Sequence, residues 1–131
     1  MRKAILCVDD EPLVLNSLRT QLKGHFGATY SYEIAENADD AWEVIEDLVH
    51  DGVDILLIVS DWLMPGIKGD EFLIAVHRRY PRIITFMLTG QADDTAIRNA
   101  REHASLRACI HKPWQESELI TTIRSALEAD T

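Results

Sequence analysis

Cysteine, positive charge and long apolar runs are all scarce in this 131-residue sequence. Its two cysteines, Cys7 and Cys109, form no CxxC pair and no zinc spacing. Both sit in apolar, strand-like runs and read as buried, reduced thiols. No apolar run approaches the roughly 20 residues that a membrane-spanning helix needs. Met1-Arg2-Lys3 leads straight into a strand without the apolar core of a signal peptide, so the cytoplasm is the expected location. Thirteen Lys and Arg stand against 22 Asp and Glu, a net charge of −9. An acidic chain repels phosphate backbones, which argues against direct nucleic-acid binding. Arg98, Arg101 and Arg107 could still make a local basic patch. The five histidines show no metal-ligand spacing. No linker, repeat or low-complexity segment interrupts the chain.

What is present is an alternation. Five apolar runs are each followed by an amphipathic segment, and the length suits a single domain over residues 1–131. The first run, Ala4 to Val8, precedes a helix opened by Glu11-Pro12 and ended at Gly24, with Leu15, Leu18 and Leu22 inward. His25 to Thr29 reads as a loop and Tyr30 to Ala35 as a strand. Asn37 caps a second helix that ends at Asp51-Gly52. Val53 to Ser60 is nearly continuous in apolar character, as in a strand covered on both faces. A helix from Gly69 to Tyr80, a strand from Ile83 to Leu88, and a helix from Asp93 to His103 follow. A strand from Leu106 to His111 and a helix from Gln115 to Ala129 complete the pattern, with a frayed tail to Thr131. Right-handed crossovers turn such a pattern into a flavodoxin-like (βα)5 α/β fold, a doubly wound parallel sheet of order 2-1-3-4-5.

The charged residues fall at the ends of these strands. Asp9 and Asp10 close the first, Asp61 the third and Lys112 the fifth. In an open parallel sheet the carboxyl ends of the strands share one edge, beside the ligand crevice. Three carboxylates and one ammonium would converge there. Two like charges about 4 Å apart repel by roughly 4 kcal/mol at an effective dielectric near 20. A hard divalent cation with oxygen ligands, magnesium above all, relieves that repulsion.

Four motifs stand in order at these strand ends: Val8-Asp9-Asp10-Glu11-Pro12, Ser60-Asp61-Trp62-Leu63-Met64-Pro65-Gly66, Leu88-Thr89-Gly90 and His111-Lys112-Pro113-Trp114. In these the whole chain resembles the receiver domains of two-component response regulators. The resemblance implies a signalling switch that accepts a phosphoryl group on Asp61 from a histidine kinase or a histidine phosphotransfer protein. It implies Mg2+, with Mn2+ as an alternative, on Asp10, Asp61 and the backbone carbonyl of Leu63, and Asp9 acting through a water or by its charge. Thr89 and Lys112 would take phosphate oxygens, and Lys112 would pair with Asp61 at rest. The Lys112-Pro113 bond is expected to be cis. The phosphorylated form would change the surface of the fourth helix, fifth strand and fifth helix to control a partner protein or an attached output domain. Homodimerisation through that surface stays open. Catalysis would extend only to the domain's own phosphorylation and dephosphorylation.

Three positions depart from or tune the common pattern. Cys109 stands three before the lysine, where the family usually has an aromatic that swings inward. Leu63, two after Asp61, is apolar where many members are polar, and Gln91 lies two after Thr89. Two other classes compete: a degenerate receiver acting as a constitutive interaction module, and a flavodoxin-like binder or enzyme with a flavin site. The latter would want a phosphate-cradling loop after the first strand, where this chain has Asp-Asp-Glu-Pro.

Overall fold

A computed structural model describes residues 2–90 and 94–129. Five strands, β1 (Lys3–Val8), β2 (Ser31–Ala35), β3 (Asp54–Asp61), β4 (Ile84–Thr89) and β5 (Ala108–His111), alternate with five helices. These are α1 (Pro12–Phe26), α2 (Ala38–His50), α3 (Gly69–Arg79), α4 (Asp94–His103) and α5 (Glu116–Ala129). The strands form one parallel sheet of order β2-β1-β3-β4-β5, as the alternation predicts. Gln91, Asp93 and the last two residues of the tail lie outside the described residues.

Side chains alternate across each strand and fill two cores. Ala4, Leu6, Val8, Ile58 and Met87 face α2, α3 and α4. Ile5, Cys7, Leu57, Val59, Phe86 and Leu88 face α1 and α5. Helices on both faces bury the sheet, which accounts for the unbroken apolar runs. The order reverses between β1 and β3, and a crevice at that switch point is where such sheets place ligands. The register matches the carboxyl ends: Val8 pairs with Ser60, Asp61 with Leu88, and Thr89 with His111.

Several boundaries differ from the sequence reading. α1 runs through Gly24 to Phe26, and Gly27 ends it at φ +64°, with its N–H on the Lys23 carbonyl. The expected loop from His25 is thus helix and then a 3-10 turn over Gly27–Thr29. β5 begins at Ala108 rather than Leu106, although Leu106 is buried and the Arg107 N–H still reaches the Thr85 carbonyl at 2.9 Å. Cys109 is half-buried on this short edge strand rather than buried, and His111 at its end is exposed. Cys7 is buried as expected. Asn37 caps α2 through its Oδ1, which accepts from the Asp40 N–H at 2.8 Å.

Ser105 follows α4 at φ +51°, the left-handed region that costs an L-residue about 1 kcal/mol or more. Its Oγ stands 3.4 Å from the His77 ring, a long contact that offsets little of this strain. Ser105→Gly should therefore raise stability by about 0.5–1 kcal/mol, read as a higher urea midpoint at unchanged slope.

Candidate phosphoacceptor and cation site

Backbone connections draw the strand ends together. The Asp9 N–H bonds the Ala35 carbonyl at 3.1 Å, the Trp62 N–H bonds the Leu88 carbonyl at 2.9 Å, and the Lys112 N–H bonds the Thr89 carbonyl at 2.9 Å. Together they frame a cleft of about 410 Å³ lined by Asp10, Asp61, Leu63, Thr89 and Lys112, among others. The Lys112–Pro113 peptide is cis.

Asp61 lies at the cleft floor, 4% exposed. Asp9 is completely buried, whereas Asp10 is exposed. One oxygen from each of these three carboxylates falls within 4.8 Å of the others. The Lys112 ammonium stands 2.7 Å from Asp9 Oδ2 and 3.2 Å from Asp61 Oδ1, with the exposed Glu11 at 3.7 Å. Lys112 therefore bridges two acids, and its shorter contact is to Asp9. The other Asp9 oxygen accepts the Glu11 N–H at 2.9 Å, which fixes the carboxylate at the start of α1. Asp9 is thereby tied to both the ammonium and the backbone.

The titration behaviour follows from this packing. Burial, then the neighbouring Asp9 charge, pushes Asp61 up to about 6, although Lys112 opposes them and Asp10 adds a small push. Burial works against the charge on Lys112, but Asp9 and Asp61 outweigh it and hold its pKa above the ordinary lysine value. One ammonium does not neutralise three carboxylates. The donor set is all oxygen, with an exposed carboxylate at the mouth, and it fits a hard divalent cation.

Leu63 lines the cleft and is 47% exposed. Thr89 is buried at the end of β4 and lines the same wall. Trp62 is half-buried. Trp114 is also half-buried, and its indole donates to Gln21 Oε1 of α1 at 2.9 Å, seating the entry to α5.

From the sequence, Gly69 is expected only to start α3. A Cβ there would lie 2.8 Å from the Asp61 carbonyl carbon and 2.8 Å from Trp62 Cα, and closer still to the Asp61 carbonyl oxygen. The Gly69 N–H bonds the Trp62 carbonyl at 2.7 Å. Asp70, which carries no sequence signal of its own, is buried and accepts the Trp62 indole N–H at 3.2 Å. A glycine at a helix start was the only signal in the sequence, and it is an ambiguous one.

Residues 5–124 match the response regulator receiver domain family. The hydrogenase transcriptional regulatory protein HoxA of Cupriavidus necator is 34% identical over 125 residues, covering 95% of this chain and 24% of the relative. The chain thus spans about a quarter of that longer protein. Among solved structures, the signal receiver domain of an HD domain-containing protein from Pseudomonas fluorescens superposes with a TM-score of 0.87 at 27% identity, covering 99% of this chain and 98% of the other. A CheY-like response regulator receiver domain protein from Methanospirillum hungatei gives 0.85 at 28% identity, covering 99% and 97%. Such receivers are signalling domains rather than enzymes acting on an external substrate. Fold, cleft and motifs together place the chain in the family of response regulator receiver domains of two-component systems.

Proposed function

We propose that the domain is a phosphorylation-dependent switch whose acceptor is Asp61. The observation that carries this is the buried Asp61 carboxylate in an open cleft, with the Lys112 ammonium at 3.2 Å and two further carboxylates beside it. Asp10, Asp61 and the Leu63 backbone carbonyl would hold Mg2+, or Mn2+ in its place. The cation supplies charge neutralisation for the incoming phosphoryl group and for the acidic cluster itself.

The transfer asks the protein mainly for positioning and charge stabilisation. An Asp61 carboxylate oxygen forms the new O–P bond as the P–N bond of a phosphohistidine, or the P–O bond of acetyl phosphate, breaks. The imidazole or acetate leaves with the bonding pair. Lys112 moves from Asp61 toward a phosphate oxygen, and the Thr89 hydroxyl donates to another. Drawing those two groups inward biases β4, α4 and β5 toward a second packing, a population shift that a partner reads.

The donor is a histidine kinase or a histidine phosphotransfer protein, and the receiver of the signal is a partner protein or an output domain. Homodimerisation through α4, β5 and α5 is a further output mode. A place in the cytoplasm, where such donors present their histidines, agrees with this reading. Among the described residues no helix is long and apolar enough to cross a membrane.

Intact-protein mass after incubation with Mg2+ and acetyl phosphate tests the reading. One added phosphoryl group, absent when the metal is chelated, is the expected outcome. No adduct, together with no tryptophan response to beryllofluoride, would make a constitutive interaction module the better description.

A further inference from the structure

The residue after the acceptor is held at three points. Its N–H bonds the Leu88 carbonyl at 2.9 Å, and its carbonyl accepts the Gly69 N–H at 2.7 Å. The third point is a side chain: the Trp62 indole N–H donates to Asp70 Oδ1 at 3.2 Å. The Lys68 ammonium also stands 5.0 Å from the centre of the indole ring, within cation–π range. The indole is therefore gripped at its edge by a carboxylate and at its face by an ammonium, both from the start of α3. Between the grips runs the loop Leu63 to Ile67, whose first residues wall the acceptor cleft.

An acidic residue in the first turn of a helix is ordinarily explained by the helix dipole. Asp70 and Glu71 both occupy that turn. Glu71 is exposed and needs no further account, whereas Asp70 is 8% exposed and its carboxylate faces an indole donor. The dipole does not require that burial. We propose that Asp70 is a positioning residue: by holding the Trp62 indole it fixes the turn that presents the Leu63 carbonyl, and so sets the divalent-cation affinity at Asp61. The inference rests on the acceptor-and-cation reading of the cleft given above. An outer group that orients a metal ligand commonly changes affinity by tenfold or more when lost.

The test is an NMR titration of the 15N-labelled chain with Mg2+, without phosphodonor, on wild type, Asp70→Ala, Asp70→Asn and Glu71→Ala. The indole N–H signal of Trp62, assigned through Trp62→Phe, reports the hydrogen bond, and the amides of the Leu63 loop report cation binding. Asp70→Ala should shift the indole signal and weaken Mg2+ binding by about tenfold. Asp70→Asn keeps an acceptor oxygen and should stay within about twofold of wild type, as should Glu71→Ala, which removes an equal charge from the same turn. Trp62→Phe, which removes the donor and leaves Asp70 intact, should weaken Mg2+ about as much as Asp70→Ala. Thermal melts without metal show that each variant is folded. If Asp70→Asn weakens binding as much as Asp70→Ala, charge and not positioning sets the affinity, and the proposal is overturned. Wild-type affinity in Asp70→Ala overturns it as well. Failure of the acceptor-and-cation reading looks different, because the wild-type amides would then not respond to Mg2+ at all.

Discussion

Asp61→Asn should take up no phosphoryl group and yet be more stable than the wild type in metal-free buffer at pH 7.5. Loss of uptake follows on the proposed function, since the substitution removes the carboxylate oxygen that would form the bond to phosphorus. The gain follows from the sign of the Asp61 shift. Its ionisation lies near pH 6 in the fold against 3.8 for an unperturbed aspartate, because burial and Asp9 outweigh Lys112. Between those values the folded protein binds more protons than the unfolded chain, so stability falls as pH rises. Below about pH 4 both forms are protonated and the penalty is absent; above about pH 6 it is complete, at about 1–3 kcal/mol. A neutral amide of the same shape never incurs it. Urea unfolding of both proteins in chelator, at pH 4 and pH 7.5, measures the effect. The curves should converge at the lower pH and separate at the higher one, with the variant ahead. A variant less stable at pH 7.5 would mean that Lys112 outweighs burial and Asp9. Added Mg2+ should narrow the gap by stabilising only the wild type, as any ligand specific to the folded state must.

Gly69→Ala should cost at least about 3 kcal/mol, an effect at the severe end for one added methyl group. The new Cβ would meet the backbone of Asp61 and Trp62 rather than the end of a flexible side chain. Neither backbone can yield freely, since the Trp62 N–H and carbonyl are both hydrogen-bonded, to Leu88 and Gly69. Either α3 lifts from the end of β3 or the Asp61 carbonyl moves, and the Asp61 carboxylate moves with it. Gly24→Ala is the fitting comparison. Gly24 lies within α1, and apart from its chain neighbours and the helix's own backbone no atom lies within 4 Å of its would-be Cβ, so alanine there should stabilise by about 0.5–1 kcal/mol. Paired urea midpoints check both, and the two substitutions should move in opposite directions. A Gly69→Ala midpoint near that of the wild type would show that the α3–β3 junction is pliable.

The two glycines show where local reasoning ends. Glycine after apolar periodicity reads as a helix stop, and Gly24 is the expected one. The helix instead continues to Gly27, whose positive φ ends it. Gly69 carries no local sign of its neighbour, because the close approach is to a strand end eight positions earlier that folds back against it. Cys109 is half-buried rather than buried for a related reason. β5 is four residues long and lies at the sheet edge, so an apolar run there does not guarantee two covered faces.

The alternation of apolar runs and amphipathic segments determined the five-strand parallel sheet, because side-chain periods of 2 and about 3.6 are properties of the local backbone. The position of each acid at the end of its run determined that Asp9, Asp10, Asp61 and Lys112 would share one edge, since parallel strands place all their carboxyl ends together. Only the tertiary structure decided how those charges divide. Lys112 lies nearer Asp9 than Asp61, Asp10 alone of the three acids faces solvent, and the Trp62 indole is tied to Asp70. Those choices depend on strand register and crossover geometry, which bring residues from separate elements of the chain within 3.2 Å of one another. No pattern read along the chain contains that information.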